Sequence, residues 1–173
     1  MGALAGAVGS EYAWRVGDRA RALKLFARAY QCQLTGDLAG AVQLYQASLA
    51  EQPTAEAHTF LGWVYSFDHR YAEAIAECKR AIAVDPSFGN PYNDIGCYLM
   101  ALGRADEAIP WLQQAMDAPR YEAAHFPHVN LARVYEQQGR PLDALAQYGR
   151  ALEKLPGYEP ALAGLRRLQA RVN

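Results

Sequence analysis

The chain has 173 residues, a formal net charge of −1, 51% hydrophobic residues and 20% charged residues. This balance excludes a disordered chain, and the near-neutral charge excludes a protein that binds nucleic acid through a basic surface. Alanine, with 33 residues, outnumbers valine, isoleucine and threonine, which total 15. Because alanine loses no rotamer freedom in a helix whereas β-branched residues do, the composition predicts helices.

The sequence carries no pattern that predicts membrane insertion or an oxidising compartment. No apolar run approaches the roughly 18 residues that a transmembrane helix requires. The apolar stretch from Met1 to Gly9 lacks the basic residues that begin a secretory signal. Cys32, Cys78 and Cys97 are widely spaced and form no C-x-x-C motif, which is typical of reduced thiols. We therefore expect a cytoplasmic protein without membrane insertion.

The N-terminal region is the least regular part of the chain. Residues 1–17 are predicted to form an arm or a short extra helix, and residues 18–35 a first long helix with Asp18 as a candidate N-cap. Basic residues concentrate here: Arg15, Arg19, Arg21, Lys24 and Arg28. This basic patch is either a solvated helix face or a contact for an acidic partner or for the acidic middle of a second copy (residues 50–120).

Three stretches further along the chain repeat one pattern. Leu61-Gly62, Ile95-Gly96 and Leu131-Ala132 occupy the same register, stepping by 34 and then by 36 residues. Each stretch is followed by a turn and by a second helical segment centred on an alanine. These alanines are Ala74, Ala108 and Ala144. Because small residues let two helices approach closely, the pattern predicts stacked helical hairpins.

The last segment of the chain is predicted to cap the stack. Residues 159–173 place apolar side chains on one face of a helix and arginines on the opposite face. The apolar face consists of Leu162, Leu165, Leu168 and Val172. A terminal helix needs this pattern because one face covers the last hairpin while the other meets water.

On these residues the chain resembles the tetratricopeptide repeat family, whose units are helix-turn-helix repeats of about 34 residues. The second repeat carries family signature residues at Leu61, Gly62, Tyr65, Ala74, Ala81 and Pro86. The resemblance implies an all-α, right-handed superhelical solenoid of about four repeats within residues 18–158, followed by a capping helix at 159–173. The repeats are expected at approximately 22–54, 55–88, 89–122 and 125–158.

In this family the stacked first helices line a concave groove, which implies a non-catalytic adaptor or scaffold that binds a protein or peptide there. The groove positions carry the candidate partner-binding residues: Phe26, Tyr30, Thr59, Trp63, Phe67, Asn90, Asn93, Cys97, Met100, Phe126, Arg133 and Glu136. Trp63 is predicted to contribute most to binding, Asn93 to hydrogen-bond a peptide backbone, and Arg133 to pair with an acidic group. The clamp with which some relatives hold chaperone C-termini is absent, because aromatic residues, Phe60 among them, occupy its polar positions.

Alternatives stay open for the aromatic residues and for the role of the chain. The aromatic side chains either meet a partner or pack on one another, or else they pack beneath the N-terminal arm through Tyr12 and Trp14. Instead of an adaptor, the chain is alternatively a self-assembling subunit, and hence a homo-oligomer, or a small secretion-type chaperone.

The sequence shows no arrangement typical of an enzyme or of a metal site. Cys97 has no recognisable base to activate it. His125 and His128 supply two potential ligands, whereas a metal site in a protein needs three or four. We therefore expect packing roles for these residues, and no catalytic residue, metal or cofactor.

Overall fold

The computed structural model describes the backbone of residues 8–172 and the side chains of residues 19–170. This part of the chain forms helices joined by short turns: α1 (Val8–Leu34), α2 (Leu38–Glu51), α3 (Ala55–Phe67), α4 (Tyr71–Val84), α5 (Asn90–Ala101), α6 (Ala105–Asp117), α7 (His125–Gln137), α8 (Pro141–Lys154) and α9 (Glu159–Val172). The helices from α1 to α8 pair as four hairpins, and α9 follows them. The predicted all-α class, with about four hairpins and a C-terminal helix, is confirmed. None of the described helices is long and apolar enough to cross a membrane.

The chain divides into two compact units, one spanning residues 1–84 and the other residues 85–173. In the first unit, α2 packs against α1 and α3, and α3 packs against α4. In the second unit, α6 lies against α5 and α7, while α8 lies against α7 and α9. Within each unit, neighbouring hairpins therefore bury one another's apolar faces, as repeat proteins do.

Helix α1 is longer than the sequence predicted. It begins at Val8 instead of near residue 18, so Asp18 lies inside the helix and is not its N-cap. No proline interrupts the stretch, and its two glycines, Gly9 and Gly17, each cost no more than about 1 kcal/mol in a helix. The side chains of Tyr12 and Trp14, predicted as alternative occupants of the groove, lie outside the described residues.

A residue with positive φ follows the first helix of each hairpin. The φ angles are 81° at Gly36, 58° at His69, 74° at Gly103 and 69° at Gly139. Glycine adopts this left-handed conformation without a steric penalty because it has no Cβ atom. His69 is the exception among the four, and its Nδ1 lies 3.0 Å from the hydroxyl of Tyr71.

The predicted small residues do lie at close helix contacts. Ala74, Ala108 and Ala144 are completely buried in their second helices. A Cβ atom added at Gly62 would lie 3.1 Å from the carbonyl oxygen of Ala74, and one added at Gly96 would lie 2.5 Å from Cδ2 of Leu112. Larger side chains at these positions would therefore push the two helices of a hairpin apart.

Helix α9 covers the end of the second unit, as the capping prediction required. Ala161 and Leu168 are buried in a cluster with Tyr148 of α8. Gly164 lies against the same ring, because an added Cβ atom would come within 2.4 Å of Tyr148 Cζ. Arg166 and Arg167 of α9 are exposed.

Candidate functional site

Four of the predicted site residues of the first unit, together with Phe60, form an aromatic face on α1 and α3. This face consists of Phe26, Tyr30, Phe60, Trp63 and Phe67. The ring of Phe60 is central to it, with ring centroids 5.2 Å from Phe26, 5.6 Å from Tyr30 and 4.6 Å from Trp63. Edge-to-face and tilted pairs at such distances add roughly 0.5–1.5 kcal/mol each beyond the apolar area that they bury.

The aromatic face is only partly covered by the protein itself. Tyr30 is 38% exposed and Phe67 is 58% exposed, whereas Trp63 is half-buried. Beneath the face lies Tyr45 of α2, which is fully buried. Its ring centroid lies 5.4 Å from that of Phe26, and its hydroxyl donates a hydrogen bond to Oε1 of Gln33. Some rings of the face therefore pack together, whereas Tyr30 and Phe67 are exposed.

Thr59 and Phe60 exchange the roles that the sequence suggested for them. Thr59 was a groove candidate, but it is completely buried and donates a hydrogen bond to the carbonyl oxygen of Ala55. Phe60 was not among the candidates, yet it connects the rings of the face. Its spacing of three and seven residues from Trp63 and Phe67 places all three on one side of α3, and that spacing was the available signal.

In the second unit, the central candidate is a buried pair of amides. Oδ1 of Asn93 on α5 accepts a hydrogen bond of 3.0 Å from Nδ2 of Asn130 on α7. The two residues are 7% and 8% exposed. Asn93 was predicted to bind a peptide backbone, but its carbonyl oxygen is already used between α5 and α7. Asn130 was missed because nothing in a single sequence shows that two asparagines 37 positions apart meet.

Cys97 lies beside this amide pair, with its Sγ 3.1 Å from Nδ2 of Asn130. Burial, aided by the nearby carboxylate of Asp94 and opposed by Arg133, raises the pKa of the Cys97 thiol to about 12. The thiol is therefore protonated near neutral pH, and a protonated thiol is a poor nucleophile.

The remaining candidates of the second unit differ in exposure and in side-chain type. Asn90 and Met100 are half-buried, and Arg133 is exposed. Phe126 is 40% exposed, and its ring packs on those of His125 and Tyr158, with centroids 4.2 Å and 5.8 Å away. These positions form no continuous aromatic surface comparable with that of the first unit.

Glu136 was predicted to face the groove, but its carboxylate joins three helices of the second unit. It accepts a hydrogen bond from the hydroxyl of Tyr148 on α8 and another, of 2.6 Å, from Nη2 of Arg167 on α9. Its side chain is 16% exposed. Glu136 therefore holds the capping helix in place.

The two histidines of α7 have separate packing partners. Nδ1 of His128 donates a hydrogen bond of 2.8 Å to Oε1 of Gln147, and burial lowers the pKa of the imidazole. His125 packs on Tyr158 with a centroid distance of 4.6 Å. Within the described part of the chain, no group of three or more potential metal ligands occurs.

A surface pocket lies among the described residues of each unit. The pocket of the first unit has a volume of about 310 Å³ and lies beside the aromatic face, with Arg19, Leu23, Phe26 and Glu56 among its lining residues. The pocket of the second unit, of about 620 Å³, lies at the turns before α5 and α7, with Arg120 and Tyr121 in its lining.

Comparison with known proteins identifies the repeat type. A family model described as tetratricopeptide repeat matches residues 35–91 and 93–160. No curated protein sequence matches the chain.

Solved structures of several repeat proteins resemble this one. That of pilF from Pseudomonas aeruginosa has a TM-score of 0.83 at 20% identity, over 90% of this chain and 70% of that chain. The type IV pilus biogenesis factor PilW has a TM-score of 0.78 at 20% identity, over 87% and 69%. YrrB, described as a TPR protein with an unusual peptide-binding site, has a TM-score of 0.67 at 22% identity, over 87% and 77%. At these identities the likeness concerns the fold.

Proposed function

Because the chain belongs to the tetratricopeptide repeat family, whose fold generally serves protein–protein interaction, we propose that its first unit binds a partner segment on the aromatic face. In this proposal the protein is a non-catalytic adaptor or scaffold. The partner segment lies along α1 and α3 and covers the rings that the protein leaves exposed.

The observation that carries the proposal is the exposure of large aromatic side chains beside a rigid aromatic base. Phe67 is 58% exposed and Tyr30 is 38% exposed, while Phe60 and Trp63 hold each other in place at 4.6 Å. Aromatic side chains dominate binding hot spots because they bury a large area while losing few rotamers. A preformed base lowers the cost of ordering them when a partner binds.

One further observation supports a peptide or protein segment as the partner. YrrB, a TPR protein with an unusual peptide-binding site, resembles this chain in fold. The exposed rings of the first unit offer apolar contacts to such a segment.

The test compares two exposed apolar residues, one on the aromatic face and one far from it in the sequence. Phe67→Ser removes an exposed ring from the aromatic face, and Leu142→Ser removes a side chain that is 73% exposed on α8. Wild type and both variants are used as bait in parallel pull-downs read by quantitative mass spectrometry, and affinities are then measured for the recovered protein. We expect a partner that binds wild type and Leu142→Ser equally and binds Phe67→Ser at least about tenfold more weakly.

Trp63→Ala separates a binding role from a packing role in the same assay. If Trp63 belongs to the binding face, affinity falls by about 2 kcal/mol or more while the thermal midpoint changes little. A partner whose affinity is equal for wild type, Phe67→Ser and Trp63→Ala contradicts the proposal. A large stability loss with unchanged affinity for the folded fraction assigns Trp63 to packing alone.

A further inference from the structure

Helix α1 carries an apolar stripe in addition to its part of the aromatic face. The stripe consists of Ala20, Leu23, Ala27, Tyr30 and Leu34, and we call it the α1 seam. The residues are spaced by three, four, three and four positions, which is the spacing of the contact residues in a pair of coiled helices. The sequence continues this spacing to Ala13 and Val16, whose side chains lie outside the described residues.

The α1 seam is exposed along its whole described length. Leu23 is 58% exposed and Leu34 is 62% exposed, and both alanines of the seam are exposed as well. The face of α1 that packs in the hairpin is a different one, with Ala22 and Ala29 buried. Contiguous exposed apolar residues on a helix face are typical of a surface that another protein covers.

The seam is not a consequence of the repeat pattern. The family model begins to match at residue 35, and α1 ends at Leu34. Helix α1 has 27 residues, whereas the first helices of the following hairpins, α3, α5 and α7, have 13, 12 and 13. The repeat fold therefore requires neither the length of α1 nor its heptad spacing.

The charges that α1 carries along residues 19–34 are all basic, whereas Glu56 of α3 is an acidic residue in the adjacent pocket. Residues 19–34 contain four basic residues and no acidic residue. Arg21 forms an ion pair with Glu51 at 2.9 Å, while Arg19, Lys24 and Arg28 form none among the described residues. Arg19 lies four positions before the seam residue Leu23, and Lys24 lies one position after it. In a helix this spacing places the two basic residues on opposite sides of the stripe.

This charge pattern selects among the possible occupants of the seam. A second copy that paired its own α1 here would bring Arg19, Lys24 and Arg28 against the same three residues, and like charges across an interface disfavour association. An acidic partner gains attraction from the same residues and associates faster because of it. The pocket between Arg19, Leu23 and Phe26 offers a recess at the same end of the seam.

We propose that the α1 seam binds an amphipathic helix of a partner protein, with apolar residues facing the seam and acidic residues flanking them. This inference specifies the partner of the proposed function and rests on it, because Tyr30 belongs both to the seam and to the aromatic face. The partner helix lies along α1, and its apolar side chains fit over Ala20 and Ala27, where the small residues of α1 leave room.

The experiment uses two designed helical peptides as probes of the full-length protein. Both peptides span three heptads with leucine at the contact positions, and they differ only in carrying glutamate or lysine at the flanking positions. Binding is measured by fluorescence anisotropy at low and high salt. We expect the acidic peptide to bind at least about tenfold more tightly than the basic peptide at low salt, and the difference to shrink as salt screens the charges.

Three variants locate the binding and test its charge dependence. Leu23→Glu should weaken binding of the acidic peptide at least about tenfold. The control Leu142→Glu, at a still more exposed position on α8, should leave that binding unchanged. The double variant Arg19→Glu/Lys24→Glu should reverse the preference, so that the basic peptide binds more tightly. All four positions are exposed, so the variants are expected to fold.

Several outcomes overturn the proposal. Equal affinity for the two peptides, or no effect of Leu23→Glu, shows that an acidic helix does not occupy the seam. A dimer in solution that Leu23→Glu converts to a monomer assigns the seam to a second copy. If Phe67→Ser and Trp63→Ala weaken a natural partner while the seam variants do not, the proposed function stands and this inference fails.

Discussion

The first helices of the two units present surfaces of opposite character. In the first unit, α1 and α3 expose rings, with Phe67 at 58% exposure. In the second unit, α5 and α7 bury a polar pair, with Asn93 at 7% exposure and its carbonyl oxygen bonded to Asn130. The same repeat architecture thus supports an open apolar face in one unit and a closed polar contact in the other. The repeat specifies the small residues between helices and leaves the remaining positions free.

The difference extends to how each unit ends. In the second unit, α9 covers Tyr148, and Arg167 of α9 donates a hydrogen bond to Glu136 of α7. In the first unit, the described residues place no further helix on the outer side of α1, and the α1 seam stays exposed. The comparison therefore predicts that changes in the second unit affect stability, whereas changes on the exposed surfaces of the first unit affect association.

Removal of α9 should produce the largest effect. Deleting residues 159–173 uncovers the ring of Tyr148, which is 1% exposed and lies against Gly164 of α9. We expect a loss on the order of 3–5 kcal/mol, comparable with truncating a large buried side chain, and aggregation of the exposed face. Thermal unfolding with light scattering measures both. A truncated chain that stays monomeric with an unchanged midpoint would show that α9 does not cap the unit.

A larger side chain at Gly96 should produce the next largest effect. Because an added Cβ atom lies 2.5 Å from Cδ2 of Leu112, Gly96→Leu overpacks the contact between α5 and α6 and should cost roughly 1–3 kcal/mol. Gly149 on α8 is the matched control, since no atom lies within 4 Å of its added Cβ. Gly149→Leu should be neutral or slightly stabilising, because leucine is the better helix former. Equal thermal midpoints for the two variants would show that Gly96 does not lie at a close helix contact.

Breaking the amide pair should lower the free energy of unfolding by no more than overpacking does. It tests whether the two amides depend on each other. Asn130→Ala leaves the carbonyl oxygen of Asn93 buried without its partner, which costs about 1–3 kcal/mol. The double variant Asn93→Ala/Asn130→Ala should cost less than the sum of the single variants, because no unsatisfied amide remains. Chemical unfolding of the four proteins gives the coupling. If the free-energy losses of the single variants add up to that of the double variant, the two amides do not depend on each other.

The sequence predicted the hairpins and their small contacts because these follow from local rules. The regular spacing of Gly62, Gly96 and Ala132 predicts where the helices come close, and the apolar face of α9 predicts that this helix caps the last hairpin. The start of α1 was missed because an isolated glycine does not stop a helix, and a capping residue such as Asp18 also occurs within helices. The predicted binding residues stay predictions, since no observation tests them.

The misplaced site residues have a common physical cause. Helical spacing places Thr59, Asn93 and Glu136 on the groove side of their helices, but it does not reveal what lies opposite. Thr59 bonds to its own backbone, Asn93 to Asn130, and Glu136 to Tyr148 and Arg167. Such pairings depend on tertiary contacts between residues distant in sequence, which one sequence without relatives does not disclose.

The smallest expected effect concerns pH and compares equivalent histidines in the two units. Nδ1 of His58 lies 2.6 Å from the carboxylate of Glu77, whereas Nδ1 of His128 lies 2.8 Å from the side-chain amide of Gln147. Both partners follow their histidine by 19 residues. Burial lowers the pKa of His128, and Arg150 and Lys154 lower it further, although the hydrogen bond to Gln147 and the nearby Glu153 act in the opposite direction.

The sign of the pH effect follows from proton binding. The unfolded chain binds a proton at His128 near the ordinary pKa of 6.5, whereas the folded protein resists it until a lower pH. Below about pH 6.5 the unfolded state therefore binds more protons, so the contribution of His128 to stability is present at pH 7 and falls as pH decreases towards 5. His128→Gln removes this term, and all other titrating groups are common to both proteins. We expect the urea midpoint of wild type to fall more between pH 7 and pH 5 than that of His128→Gln; parallel pH dependences would show that the folded protein protonates His128 as readily as the unfolded chain does.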